Sequence, residues 1–151
     1  GLYNRRHLDD VLKREIVRCE RYGYNLSVIL LDLDHFKKIN DSFGHDVGDH
    51  VLVNVAQSLR ENTRDADIVG RWGGEEFLIL ATGTQLELAV LLAEKLRNEL
   101  EKRQHGGLGY VTASFGVTQY KHGDTANTLI KRVDKMLYTA KSRGRNRVEA
   151  I

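Results

Sequence analysis

Leu26-Ser27-Val28-Ile29-Leu30-Leu31-Asp32-Leu33 is almost continuously apolar, and Gly23 and Asn25 punctuate the chain just before it. A run of this length and composition predicts a strand buried on both faces. Its single ionisable side chain is Asp32, one residue from the end. Working outward, two shorter apolar runs, residues 66–72 and 77–81, flank Gly73-Gly74-Glu75-Glu76 and predict a β-hairpin. Before the buried run, Leu8, Leu12, Ile16 and Cys19 recur at helical spacing over residues 5–21. After it the pattern predicts a short helix over 34–42 and a polar turn through Gly44 and Gly48. A longer helix follows, marked by Val51, Leu52, Val55, Ala56 and Leu59. Leu88, Leu91, Leu92, Leu96 and Leu100 mark another. Residues 110–120 read as a strand broken at Gly116, and Leu129, Ile130, Val133, Met136, Leu137 and Ala140 form one face of a last helix. With the short helix and the longer one after it counted as one helical region, a final short strand completes the order α-β-α-β-β-α-β-α-β, which predicts helices covering a largely antiparallel sheet.

Composition narrows the function. The 23 Lys and Arg residues against 21 Asp and Glu leave a formal charge of +2, too small for a general nucleic-acid or membrane-surface binder. One cysteine, Cys19, excludes an internal disulfide framework and fits a reducing compartment. No apolar run approaches the roughly 20 residues that span a bilayer. Proline is absent and no low-complexity linker interrupts the chain, so residues 1–151 read as one domain. The missing initiator Met predicts a piece of a longer protein.

The chemistry lies in the acids that close the apolar runs. A carboxylate inside a buried strand is costly unless it is paired or metal-bound. A hairpin paired beside the first strand would bring Asp32 and Glu75 to one edge of the sheet. Converging carboxylate oxygens suit Mg²⁺, which usually takes only one or two of them and leaves other positions to phosphates and water. Two such ions could activate an attacking oxygen and stabilise a leaving one. Solvated hairpin acids, with Asp32 paired to a lysine, form the other reading of this pattern. Gly73 and Gly74 leave room for a ligand beside the backbone, although a tight turn alone also asks for glycine.

The chain resembles the GGDEF family of diguanylate cyclases. The resemblance rests on Arg71-Trp72-Gly73-Gly74-Glu75-Glu76-Phe77, a GGEEF form of the signature, and on the Asp32-Leu-Asp-His-Phe-Lys-Lys-Ile-Asn40-Asp segment. Gly44-His45 with Gly48-Asp49, Ser114-Phe-Gly116-Val, and Asp134…Leu137-Tyr138…Ala140-Lys141…Gly144-Arg145-Asn146-Arg147 follow in the family's order, and the opening Gly1-Leu-Tyr-Asn-Arg-Arg6 resembles the family's domain start.

The resemblance implies an α/β (α+β) fold, palm-like with a ferredoxin-like core, in which helices flank a mostly antiparallel sheet. It implies that Asp32, the Leu33 carbonyl and Glu75 hold Mg²⁺ or Mn²⁺, two ions per site, with Glu76 a candidate general base. Asn40 and Asp49 match guanine-reading positions, although a turn residue and a helix N-cap are the local alternatives. Lys37, Lys141 and Arg145 match phosphate-binding positions, and Phe36 the pocket lining or, equally, core. Arg64 and Asp67 stand at the spacing of the family's product-binding inhibitory site, where an ordinary ion pair is the alternative; Lys95 is a further candidate there. The implied reaction joins two GTP into cyclic di-GMP in a homodimer, with an upstream sensory or regulatory domain and no membrane contact by this domain itself. GTP supply and cysteine usage place that activity in the cytoplasm.

Overall fold

The computed structural model describes residues 2–151; Gly1 of the opening motif lies outside them. Five helices and five strands follow in the order α1 (Arg5–Tyr22), β1 (Leu26–Leu33), α2 (Phe36–Phe43), α3 (His45–Glu61), β2 (Ile68–Arg71), β3 (Glu76–Thr82), α4 (Leu86–Lys102), β4 (Ala113–Gln119), α5 (Ala126–Ser142) and β5 (Val148–Ala150). A single 3₁₀ turn, Gly106–Leu108, precedes β4. The sheet order is β2-β3-β1-β4-β5. Three of its pairings are antiparallel and the last, β4 with β5, is parallel. β1 is therefore the central strand, and all eight of its residues are buried.

Side chains alternate across a strand, and the alternation divides the core in two. Ile29, Leu31, Leu33, Phe77, Ile79, Phe115 and Val117 face α3 and α4. Leu26, Val28, Leu30, Leu78 and Leu80 face α1 and α5. Asp32 continues the second set by parity, so its carboxylate emerges on the side that α5 covers.

The sequence places the elements correctly and errs at particular boundaries. α1 stops at Gly23, whose φ of 70° lets its N–H reach the Cys19 carbonyl. α3 begins at His45, with Gly44 at φ 92° as the turn. Gly48 and Asp49 consequently lie inside the helix, which removes the N-cap alternative for Asp49. β2 starts only at Ile68, because Asp67 turns back onto Arg64. Cys19 is buried and its thiol is pushed up by that burial, as an inert structural cysteine should be.

Gly116 does not break its strand. β4 runs through it, paired to Leu30 on one side and Glu149 on the other. The glycine is needed because the α5 backbone crosses directly above it: a Cβ there would meet Leu137 N and Val133 O at 2.5 Å. Both obstacles are main chain and cannot swing aside. Gly116→Ala should therefore cost about 1–3 kcal/mol of overpacking, read as a lower urea midpoint. An unchanged midpoint would show that α5 is not held this closely.

Candidate active site

Four pieces of the fold meet at one end of the sheet: the end of β1, the start of α2, the β2–β3 turn and the C-terminal end of α5. The register sets Asp32 opposite Glu76 on one side and Ser114 on the other. Leu33 N–H donates to the Glu75 carbonyl at 3.3 Å, and Trp72 N–H donates to Glu76 O at 2.8 Å, closing the hairpin. Arg71 Nη2 donates to the Gly74 carbonyl within the turn. Arg5 lies 4.2 Å over the Trp72 ring and donates to its carbonyl, fixing the hairpin from α1.

The two glycines of the turn have different reasons. A Cβ on Gly73 would meet Glu76 Oε1 at 2.9 Å, so this glycine makes room for the neighbouring carboxylate. Gly74 has open space around it and an ordinary φ. Nothing inside the domain requires a glycine there, and its exposed backbone is free for approach from outside.

Asp32 is 4% exposed. Its Oδ2 accepts from Lys141 Nζ, the lysine pairing that the sequence held open as an alternative. That pairing accounts for one oxygen only: Oδ1 is buried with no hydrogen-bond partner among the described residues. Asp34, two residues on, contrasts with it. Its carboxylate accepts from Thr112 Oγ1 and Ser114 Oγ, both at 2.7 Å, and from Asn146 N at 3.0 Å.

Burial raises the Asp32 carboxyl above the ordinary carboxylate range despite Lys141. Glu75 is raised by burial and then by repulsion from Asp32. Glu76, half-buried, is raised by burial and by Asp32 and Asp134. This corner carries more negative charge than its one paired lysine neutralises. Among the described residues no three His, Cys, Asp or Glu side chains are placed to hold a metal ion. The acids at the centre are the pair Asp32 and Glu75, within the one or two carboxylates that Mg²⁺ ordinarily takes. The orphaned Oδ1, the adjoining Glu75 carboxyl and the excess of negative charge together fit a hard divalent cation.

The flanking residues fall into place along α2 and α5. His35, at φ 58°, turns the chain into α2 and offers no side-chain cap, so the first N–H groups of the helix are uncapped. Lys37 and Arg145 are exposed, and their side chains make no ion pair or hydrogen bond among the described residues. Asn40, one turn into α2, has its Oδ1 buried and unpartnered. A side chain on Gly48 of α3 would overlap that oxygen and crowd Phe36 Cζ at 3.2 Å, so the glycine makes the Asn40 niche possible. Asp49 is the next residue and is exposed. Phe36 is 7% exposed and belongs to the core beneath this niche.

Arg64 and Asp67 stand away from this end. Asp67 is buried and accepts from Arg64 N and Nη2, each at 2.9 Å, while Arg64 Nη2 also donates to Thr82 O and Thr84 Oγ1. They form the local ion pair, and the Arg64 side chain is still 59% exposed. The pair borders a cavity of about 350 Å³ that Thr84, Leu88, Leu92 and Lys95 also line.

Sequence reasoning missed Asp34, whose saturated carboxylate joins β1, β4 and the tail after α5, and the left-handed turn at His35. A polar Ser114 inside an apolar strand was the available hint for the first; nothing local announces the second.

A mostly antiparallel sheet flanked by helices, with acids gathered at the end of its central strand, defines an α+β palm-like domain. The chain belongs to the family described as "Diguanylate cyclase, GGDEF domain", whose model matches residues 1–147. It is 41% identical over 154 residues to diguanylate cyclase VdcA of Vibrio cholerae, covering 98% of this chain and 44% of the relative. The crystal structure of the GGDEF domain of DgcB from Caulobacter crescentus in complex with c-di-GMP superposes with a TM-score of 0.95 at 34% identity, covering 99% of this chain and 91% of that one. The active GGEEF domain of a diguanylate cyclase from Vibrio cholerae gives a TM-score of 0.95 at 38% identity, covering 99% and 97%. The chain spans 23 to 44% of the length of the first curated relatives it matches. No helix among the described residues is long and apolar enough to cross a membrane.

The raised carboxyls have a consequence for stability. A carboxyl whose folded pKa exceeds its unfolded value imposes no penalty below the unfolded value, and the penalty grows as pH rises through the folded one. Glu75→Gln should therefore raise the melting temperature of the metal-free domain near neutral pH, with the gain vanishing as pH falls well below the ordinary Glu value of about 4.3, where the acid is protonated in both states. Mg²⁺ should raise the melting temperature of the parent and leave that of the variant unmoved. Equal melting curves for the two at neutral pH would contradict the crowded-charge account.

Proposed function

We propose that this domain is the catalytic half-site of a diguanylate cyclase, the observation carrying the reading being the unpartnered Asp32 Oδ1 beside Glu75. Asp32, Glu75 and the Leu33 carbonyl would hold Mg²⁺ or Mn²⁺, two ions per site. When bound, the metal supplies charge neutralisation for phosphate oxygens and acidifies an attacking hydroxyl. The chain's own residues do the positioning. Lys37, the uncapped start of α2, Lys141 and Arg145 receive the triphosphate, since a helix N-terminus and flanking cations both favour a polyanion. Lys141 is already at the carboxylates and exchanges part of that pairing for phosphate. Asp49 accepts from guanine N1–H and N2–H₂, with Asn40 beside it; adenine lacks that donor pair, so an unsatisfied polar group penalises it.

The 3′-hydroxyl of one GTP attacks the α-phosphorus of a second. One P–O bond forms, the bond to the pyrophosphate breaks, and the hydroxyl proton leaves to base. A second identical exchange closes the ring and releases a second pyrophosphate. Glu76, half-buried and raised above the ordinary carboxylate range by burial and by Asp32, is a stronger base than an exposed Glu and suits the role of proton acceptor. One domain offers one GTP site, so the reaction takes two domains face to face, brought together by the region upstream. Neither nucleic acid nor membrane enters the scheme, and GTP supply places it in the cytoplasm.

Incubating the concentrated domain with GTP and Mg²⁺ should give cyclic di-GMP and two equivalents of pyrophosphate by mass spectrometry. Glu75→Ala should lower the rate by roughly 100-fold or more, given the several kcal/mol that a metal supplies. GTP binding with no cyclic product, even under enforced dimerisation, would replace the cyclase with a nucleotide receptor.

The same proposal includes feedback at Arg64 and Asp67. Arg can donate to guanine O6 and N7 while Asp accepts from N1 and N2, and the exposed guanidinium borders a cavity that Lys95 also lines. Arg64→Ala should retain the rate measured without product and lose inhibition by added cyclic di-GMP. Undiminished inhibition in that variant would remove the pair from the account.

A further inference from the structure

The segment after α5 follows an unusual path. Arg145 and Asn146 have φ of 65° and 44°, and with His35 they are the only described non-glycine residues with positive φ. Such backbone is unfavourable for residues with a Cβ and persists only where surrounding contacts enforce it. Backbone bonds hold the turn at both ends, Arg145 N–H to the Ala140 carbonyl and Phe115 N–H to the Arg147 carbonyl, and the side-chain bonds that lock it belong to Asn146. Its N–H donates to Asp34 Oδ2 at 3.0 Å. Its Oδ1 accepts from Arg97 Nη1 at 3.0 Å, and its Nδ2 donates to Glu101 Oε2 at 2.7 Å. Asparagine is well suited, since it tolerates the left-handed region and carries both a donor and an acceptor.

These bonds join three elements that are otherwise separate in sequence. Asp34, saturated by Thr112, Ser114 and Asn146, ties the end of β1 to β4 and to the tail. Arg97 and Glu101 belong to α4, and Arg97 is fixed in turn by Glu94 at 3.1 Å. The tail is thus pinned on both sides of Asn146, while the residue before it, Arg145, keeps an exposed guanidinium with no partner among the described residues. Arg145 N–H closes the turn on the Ala140 carbonyl at 3.0 Å, next to Lys141.

We propose that Asn146 is a positioning residue, clamped by Asp34 and by Arg97 and Glu101, that holds Arg145 in its left-handed conformation and aims it at the nucleotide triphosphate. This rests on the reading of Arg145 as a phosphate-binding residue. Asn146 touches no substrate; it acts by removing alternative conformations of Arg145, which would otherwise have to be frozen out on binding.

The test measures binding rather than turnover, using calorimetry with a non-hydrolysable α,β-methylene analogue of GTP and Mg²⁺. Asn146→Gly keeps the positive φ accessible and keeps the backbone N–H that Asp34 accepts, while removing both bridges to α4. It should weaken analogue binding about tenfold, the scale of one lost charge-assisted hydrogen bond. Arg145→Ala should weaken it at least as much, and the double variant should bind no worse than Arg145→Ala alone, because the two act through one group. Arg97→Lys, remote from the site and unable to reproduce the planar guanidinium fork, should shift binding in the same direction should the glycine variant fold poorly. Parent-like affinity in both Asn146→Gly and Arg97→Lys would overturn the clamp, as would fully additive losses in the double variant. Parent-like affinity in Arg145→Ala would overturn it as well, by leaving nothing to position. Failure of the parent domain to make cyclic di-GMP would sink the cyclase reading separately, without touching this comparison.

Discussion

A carboxylate buried at the end of the central strand constrains the rest of this fold. Asp32 sits where β1 is flanked by β3 and β4 and covered by α5. Its ionised form is stable there only with compensating charge. Lys141, delivered by the last turn of α5, supplies part of it and leaves Oδ1 unanswered. The approach of α5 that brings Lys141 close depends on Gly116, since any side chain on that residue would strike the helix backbone. Helix packing and site electrostatics are thus one arrangement.

Incomplete compensation is what makes this corner suitable for chemistry. Three carboxyls are held above their ordinary range by burial and mutual repulsion. A fold selected for stability alone would place neutral residues there. Natural proteins commonly accept such a cost at functional sites. Asp34 shows the alternative solution in the same loop: two hydroxyls from β4 and its lead-in and one backbone N–H from the tail satisfy it, and that carboxylate is a structural tie.

Much of this was legible in the sequence because it depends on local periodicity. The apolar run at 26–33, the paired runs around the Gly-Gly turn and the helical spacings each predict their element without reference to the others. The family motifs also lie in short segments, so they can be read directly. The misreadings share one cause. Gly116 reads locally as a break, yet it is an answer to a helix that crosses twenty residues later in the chain. Gly48 reads as a turn, yet it lies in α3 and clears space for Asn40. In both cases the glycine meets a steric demand made by another element, which a window of neighbours does not contain.

By itself, the sequence determined the elements, the family they belong to and the presence of acids on an apolar frame, since all of these are written in spacings of a few residues. Only the tertiary structure decided which acid is open. Asp32 and Asp34 stand two residues apart and share a face by parity; the resemblance singles out Asp32, but nothing in residues 26–34 shows why its carboxylate is left open while that of Asp34 is satisfied. The difference arises from Lys141, 109 residues beyond Asp32, and from Thr112, Ser114 and Asn146, 78, 80 and 112 residues beyond Asp34. A carboxylate's state is set by the donors and charges within a few ångströms of it, and those neighbours are chosen by the packing of β4 and α5, not by the order of residues along the strand.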